Sequence, residues 1–155
     1  MNIIWHGHSC FEITGKDGTI VFDPYQANSV PGLNSLKLKA NLVLCSHEHD
    51  DHNARNCVEV APKDFKVTCI ETYHDHHQGS HRGKNTIHIV DFEDLKVVHM
   101  GDIGCMMDDV SKLKNCDVLM IPIGGYYTID TKEALKYIER IQPRIVIPMH
   151  YHSHE

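Results

Sequence analysis

Six residues in the middle of the chain, His47-Glu48-His49-Asp50-Asp51-His52, narrow its folding options more than any other stretch. They follow, with only Ser46 between, on the apolar run Asn41-Leu42-Val43-Leu44-Cys45. A run of that length suits a strand buried on both faces, so the polar arc begins where a strand leaves a core. His47 and His49 are two residues apart and project to the same side of an extended backbone. Asp51 and His52 come as the chain turns, and can face a second position nearby. Imidazole and carboxylate are ligands that zinc, manganese and iron share. One tetrahedral ion cannot take four such groups from so short an arc, so the spacing suggests two neighbouring ions. A solvated polar loop is the bland alternative, and it does not explain four ligand-type side chains at the end of an apolar strand.

Further ligands must come from other strand ends. Ile3-Ile4-Trp5, Cys10 to Thr14 and Thr19 to Phe22 read as strands, the last two joined by the turn Gly15-Lys16-Asp17-Gly18. Residues 25–36, rich in Asn, Ser, Pro and Gly, read as a loop. A short helix is expected from about Asn53, its N-cap, to Val60, stopped near Pro62. Lys66 to Ile70 is a strand, 71–84 a polar loop, and Thr86 to Asp91 with Leu95 to His99 a hairpin. Val118 to Ile121 and Ile145 to Ile147 are apolar strands. Between them Leu135, Ile138 and Ile141 mark a helix over Thr131 to Ile141, with Thr131 or Asp130 as its cap and Pro143 beyond it. Three ligand-type residues then fall just past strands: His74, Asp102 in Met100-Gly101-Asp102, and His150 in Pro148-Met149-His150. An aspartate on a glycine-flanked turn can offer one oxygen to each of two cations.

The bulk properties leave room for this chemistry. A chain of 155 residues with no repeat, linker or low-complexity tract forms one domain over 1–155. A net charge of −6 argues against a broad nucleic-acid footprint. No stretch is long and apolar enough to cross a bilayer, and the N-terminus lacks the pattern of a signal peptide. Six dispersed cysteines without a C-x-x-C pair read as reduced thiols of a cytoplasmic protein. The fourteen histidines are the unusual number, because they fall in groups at the ends of apolar runs.

The ordered set H-x-H-x-D-H, a later histidine, a Gly-Asp and a C-terminal histidine resembles the five motifs of the metallo-β-lactamase superfamily. Trp5-His6-Gly7-His8-Ser9, Phe22-Asp23-Pro24, Arg82-Gly83-Lys84-Asn85 and His99-Met100-Gly101-Asp102-Ile103-Gly104 are similar to its branch of small metal-dependent hydrolases, which includes the L-ascorbate-6-phosphate lactonase type. The resemblance covers nearly the whole chain. It implies an α/β fold, a four-layer αββα sandwich with metals at one edge of two sheets. It implies that His47, His49 and His74 hold one ion, that Asp51, His52 and His150 hold the other, and that Asp102 bridges them. The implied cofactors are two divalent metals, Zn2+ first, with Mn2+, Fe2+ or Ni2+ as alternatives. The implied reaction is hydrolysis of a small ester, lactone or phosphodiester by a water whose pKa the ions lower toward ~7, with Asp51 and Asp102 as the catalytic carboxylates. The branch continues further past its final histidine, so the C-terminal layer is expected to be short, with three readings open: a trimmed layer, a shortened version of the chain, or a second subunit that covers the gap in a homo-oligomer.

Other residues keep two readings. His8 can reach the site or serve as a structural histidine. Asp23 can orient a ligand histidine or cap the turn before Pro24. His99 reads as a structural hydrogen bonder. Arg82 and Lys84 can hold an anionic substrate group or remain solvated. His76, His77 and His81 share the loop of His74 and compete with it as the ligand. Tyr126 and Tyr127 are weak candidates for a pocket wall, and His152 and His154 are expected to be tail residues. The competing functions are a nuclease of the same superfamily, a metal-binding protein without catalysis, and a di-iron reductase. The last would place glutamate at the position of His49 and add a flavin domain.

Overall fold

Alternation of apolar and polar side chains builds the first strands as expected. Phe11 and Ile13 are fully buried while Glu12 and Thr14 are only partly covered. In the computed structural model, which describes residues 1–151, the chain runs β1 (Asn2–Gly7), β2 (Cys10–Gly15), β3 (Gly18–Phe22), β4 (Leu38–Ala40), β5 (Leu42–Leu44), a 3-10 turn (Arg55–Cys57), β6 (Val58–Val60), β7 (Lys66–Tyr73), β8 (Lys84–Phe92), β9 (Leu95–His99), β10 (Val118–Pro122), α1 (Thr131–Ile141) and β11 (Ile145–Met149). His152 and His154 lie outside the described residues.

Two sheets stack as a sandwich, one in the order β1-β2-β3-β5, the other β11-β10-β9-β8-β7. Phe11, Ile13, Ile20 and Phe22 of the first meet Val90, Phe92, Val97, Val118 and Met120 of the second. Each such side chain, fully buried, contributes roughly 1.5–3 kcal/mol. The far face of the second sheet is covered by α1 and the segment before β10, through Leu113, Cys116, Ala134, Tyr137 and Ile141. The far face of the first sheet is covered by Tyr25 and Val30 and by the β4–β6 pair, through Ala40 and Val58. The architecture is therefore the expected α/β sandwich, with one outer layer built from loop and a two-stranded sheet.

Strand direction decides where the site forms. β10 runs parallel to both β9 and β11. β8 is antiparallel to β7 and to β9, so β7 shares their direction. The C-terminal ends of β7, β9 and β11 therefore open onto one edge and deliver His74, Asp102 and His150. In the other sheet β1, β3 and β5 likewise share a direction, and their ends deliver His8, Asp23 and the run from Ser46. The hairpin β8–β9 is closed by Glu93 and Asp94, both left-handed (φ 50° and 63°), the turn geometry that matches strand twist.

Three expectations are corrected. No helix spans 53–60: a single 3-10 turn, with Ala54 rather than Asn53 at its cap position and no side-chain cap, leads into β6. Ala54, Cys57 and Val58 stand at helical spacing, but Val58 pairs with Leu38 in a parallel ladder instead. β5 is half-buried rather than enclosed, because it is an edge strand of its sheet. In α1 the buried face is Ala134, Tyr137 and Ile141, and Leu135 is exposed. The helix starts at Asp130, which accepts from the Glu133 amide at 2.8 Å in a capping box.

The face assignment predicts unequal costs. Ile141→Ala should lower unfolding free energy by about 2–5 kcal/mol, whereas Leu135→Ala should stay within about 0.5 kcal/mol of the parent. Urea unfolding followed by circular dichroism checks both.

Candidate metal centre

One carboxylate oxygen collects the strand ends. Asp102 Oδ2 lies 3.0 Å from His52 Nε2, 3.0 Å from His150 Nε2, 3.3 Å from His74 Nε2 and 3.7 Å from His47 Nε2. Around it the potential ligand atoms fall into groups within 4.8 Å: His47, His49 and His74; His8, Asp51, His52 and His150; and Asp23 with His47 and His52, which links the first two. All seven residues expected to hold metal are thus brought together, and His8 joins the second group. Its Nε2 is 2.9 Å from Asp51 Oδ2, and its ring lies 4.1 Å from that of His150. Gly7 and His8 both take positive φ, which turns the His8 side chain off the end of β1. The sequence leaves His8 between a site role and a structural one, and the fold brings it beside Asp51 and His150.

The loop 74–83 separates its four histidines. His74 is buried at the site, whereas His76, His77 and His81 are exposed. The His77 and His81 rings pair with each other at 4.0 Å, and His76 approaches Glu133 at 3.5 Å. Asp75 fixes the loop by accepting from the amides of His77, Gly79, His81 and Arg82. Burial would raise its carboxyl, but those four donors hold it far below the usual carboxylate range.

A second carboxylate aims the imidazoles. Asp23, fully buried at the end of β3, accepts from the Ser46 amide at 2.7 Å, the Ser46 hydroxyl at 2.6 Å and His52 Nδ1 at 2.8 Å. Against the cost of burial, His99, His52 and Ser46 keep its carboxyl at about 2. With Nδ1–H donated to Asp23, His52 turns Nε2 toward Asp102. Ser46 Oγ is also 2.8 Å from His47 Nδ1, so one buried pair, Asp23 and Ser46, orients two imidazoles. Burial and the neighbouring His52 push His47 down to about 3, leaving it neutral with an available lone pair. Ser46 was invisible in the sequence, because a serine before a histidine has no special spacing. His99 is structural: Nε2 donates to Ser9 O at 2.9 Å, and the ring stacks on Phe22.

Glycine is required at the turn that holds Asp102. Gly101 has φ 58°, and a Cβ there would lie 2.5 Å from Ser46 Cβ and closer still to Asn85 Oδ1. Asn85 Oδ1 accepts from the Asp102 amide at 2.8 Å, and its amide group donates to Met100 O at 3.0 Å. At Gly104 a Cβ would meet the backbone of His74 and Asp75, so that glycine lets two ligand loops pack together.

The residues suit metal ions. His47 Nε2, His52 Nε2, His74 Nδ1 and Asp102 Oδ1 are buried without a well-aligned hydrogen bond among the described residues. Most buried polar atoms in proteins are paired, and nitrogen and carboxylate oxygen are zinc-type donors. Burial would raise Asp102, yet the charges of His52 and His150 hold it well below the normal range. A cavity of about 330 Å³ opens above the cluster, and Arg82 and Tyr127 stand at its mouth with the Arg82 guanidinium 5.0 Å from the Tyr127 ring centre. Lys84 instead pairs with Glu71 at 2.8 Å.

Comparison with known proteins fits this geometry. A family model described as a β-lactamase superfamily domain matches residues 2–150. A metal-dependent hydrolase of Thermoplasma acidophilum is 29% identical, covering 99% of this chain and 84% of its own length. One of Staphylothermus marinus is 30% identical, covering 95% and 82%. The first alignment runs over 191 positions, more than the 155 residues of this chain, so that relative carries extra residues inside the matched span. Among solved structures, a Zn-dependent hydrolase of the metallo-β-lactamase superfamily from Thermotoga maritima is 30% identical with a TM-score of 0.72, covering 97% of this chain and 76% of that one. A metal-dependent hydrolase of Parabacteroides distasonis shares the fold at 19% identity and a TM-score of 0.74, covering 99% and 83%.

The Asp23 network predicts that Asp23→Asn, which keeps the shape and removes the charge, weakens zinc binding roughly 10- to 100-fold. Competition against a chromophoric chelator measures the change.

Proposed function

The chain belongs to the β-lactamase superfamily domain family and is a metal-dependent hydrolase; on that premise, we propose that it works with two divalent ions, zinc first among them, on a small ester, lactone or phosphodiester that carries an anionic group. The observation that carries this reading is the position of Asp102 Oδ2, within 3.7 Å of imidazole nitrogens from both ligand groups. Two like clusters around one carboxylate suit a bridged pair of cations. In this reading His47, His49 and His74 hold one ion, Asp51, His52 and His150 the other, and Asp102 lies between them.

When bound, the metals supply Lewis acidity toward the substrate oxygen and make an attacking water more acidic. The chain's own groups do the rest. Asp51 Oδ2, held by His8 Nε2 at 2.9 Å, orients the water and accepts its proton. Asp23 and Ser46 keep His52 and His47 in the tautomer that presents Nε2. Arg82, whose guanidinium has no carboxylate partner among the described residues, stands at the mouth of the cavity over His49, His74 and Asp102. It is placed to hold the anionic part of the substrate. The six free cysteines support a reducing compartment and hence a cytoplasmic location, and no helix of the described residues is long and apolar enough to cross a membrane.

A panel of phosphodiester, lactone and thioester substrates tests the reading. Turnover should vanish on chelation and return with added zinc, and Asp102→Asn should lower kcat/KM by about 100-fold or more. Arg82→Ala should act mainly on KM, by about tenfold for an anionic substrate. Turnover that survives both chelation and Asp102→Asn contradicts the reading.

A further inference from the structure

A second cavity, of about 520 Å³, adjoins the metal-ligand cluster and shares His8, Asp51 and His150 with it. The rest of its lining is different in kind. Tyr126, Tyr127 and Tyr151 stand on its walls, with Val30 and Pro31 among its other lining residues. The three tyrosines are 76%, 53% and 42% exposed. One exposed aromatic is ordinary for a protein surface, but several around one concavity beside a reactive centre mark a ligand surface.

The tyrosines are held in place before any ligand arrives. Tyr126 and Tyr127 meet edge to face, with ring centres 4.6 Å apart. Their loop is pinned at its base, where Gly125 N donates to Ile129 O at 3.2 Å and Gly124 bridges to Asp130. The Tyr151 ring packs 5.7 Å from the Trp5 ring, and the Trp5 indole donates to His8 O at 3.1 Å. Tyr127 lines both this cavity and the one above the metal ligands, and Arg82 packs on its ring. The Arg82 guanidinium thus stands beside both the metal ligands and the aromatic wall. Among the described residues, the charged or imidazole side chains that line the aromatic cavity are His8, Asp51 and His150, which belong to its metal end.

We infer that the substrate carries a flat aromatic or heteroaromatic group next to its scissile bond, and that this group lies among Tyr126, Tyr127 and Tyr151 while the bond sits over the metal ligands. Phenol rings favour stacked or edge-to-face partners over flexible alkyl chains, and their hydroxyls add hydrogen bonds that suit ring nitrogens or oxygens. The inference rests on the proposed metal-centred hydrolysis, because that reading places the scissile bond.

Phosphonates that are not turned over separate the two ideas. Methylphosphonate probes the metal centre alone, and phenylphosphonate adds one ring. Binding to the zinc-loaded protein is read by calorimetry and by the fluorescence of Trp5, the single tryptophan of the chain. Phenylphosphonate should bind about tenfold more tightly than methylphosphonate. The ratio should fall toward one in the double variant Tyr126→Ala/Tyr127→Ala, and persist in Tyr126→Phe/Tyr127→Phe. Equal affinities for the two phosphonates in the parent, or a ratio that survives the alanine pair, overturn the aromatic cavity and leave the metal centre standing. Failure of both phosphonates to bind overturns the two together.

Discussion

The structure turns on a buried carboxylate that needs positive partners. Asp102 is 1% exposed and sits where four imidazoles from three separate loops converge. A charge in that position is costly unless compensated. Histidine nitrogens alone compensate it only by taking protons, and His52, whose burial opposes a proton, is driven strongly toward the protonated form by Asp102, Asp23 and Asp51. Divalent cations satisfy the carboxylates and the imidazoles at once. The sandwich supplies the means of assembly: strands running in one direction end at one edge, and short loops there bear the ligands.

The supporting shell explains how a chain with a single helix among its described residues builds such a site. Asp23 and Ser46 are both buried at strand ends of the first sheet and fix two imidazoles. Asn85 and Gly101 fix the Asp102 turn from the second sheet. Asp75 fixes the His74 loop with four backbone donors. None of these depends on a thick outer layer, which is consistent with relatives that carry extra residues within the matched span. The outer faces can be covered by loop, by the β4–β6 pair and by α1 while the edge keeps its shape.

Much of this was readable from local spacing. The histidine run, the Gly-Asp turn and the strand-end positions of His74 and His150 are short-range patterns, and they pointed to one edge of one fold. Asp23 was identified as one of two alternatives, and the structure selects the hydrogen bond to His52. What could not be read depends on distant partners. Residues 53–60 form a turn and a strand because Val58 finds β4, a pairing that no local propensity encodes. Ser46 acts through Asp23, 23 residues away in sequence. Tyr126, Tyr127 and Tyr151 form one wall only after β11 lies beside β10.

The central claim is that Asp102 lies between two ions. The most direct measurement is metal content per chain after exhaustive dialysis, by inductively coupled plasma mass spectrometry, paired with an anomalous-scattering map of the zinc-loaded crystal. The account predicts two equivalents and two peaks about 3.5–4 Å apart flanking Asp102. A single equivalent, with one peak held by only one of the two ligand groups, would contradict it.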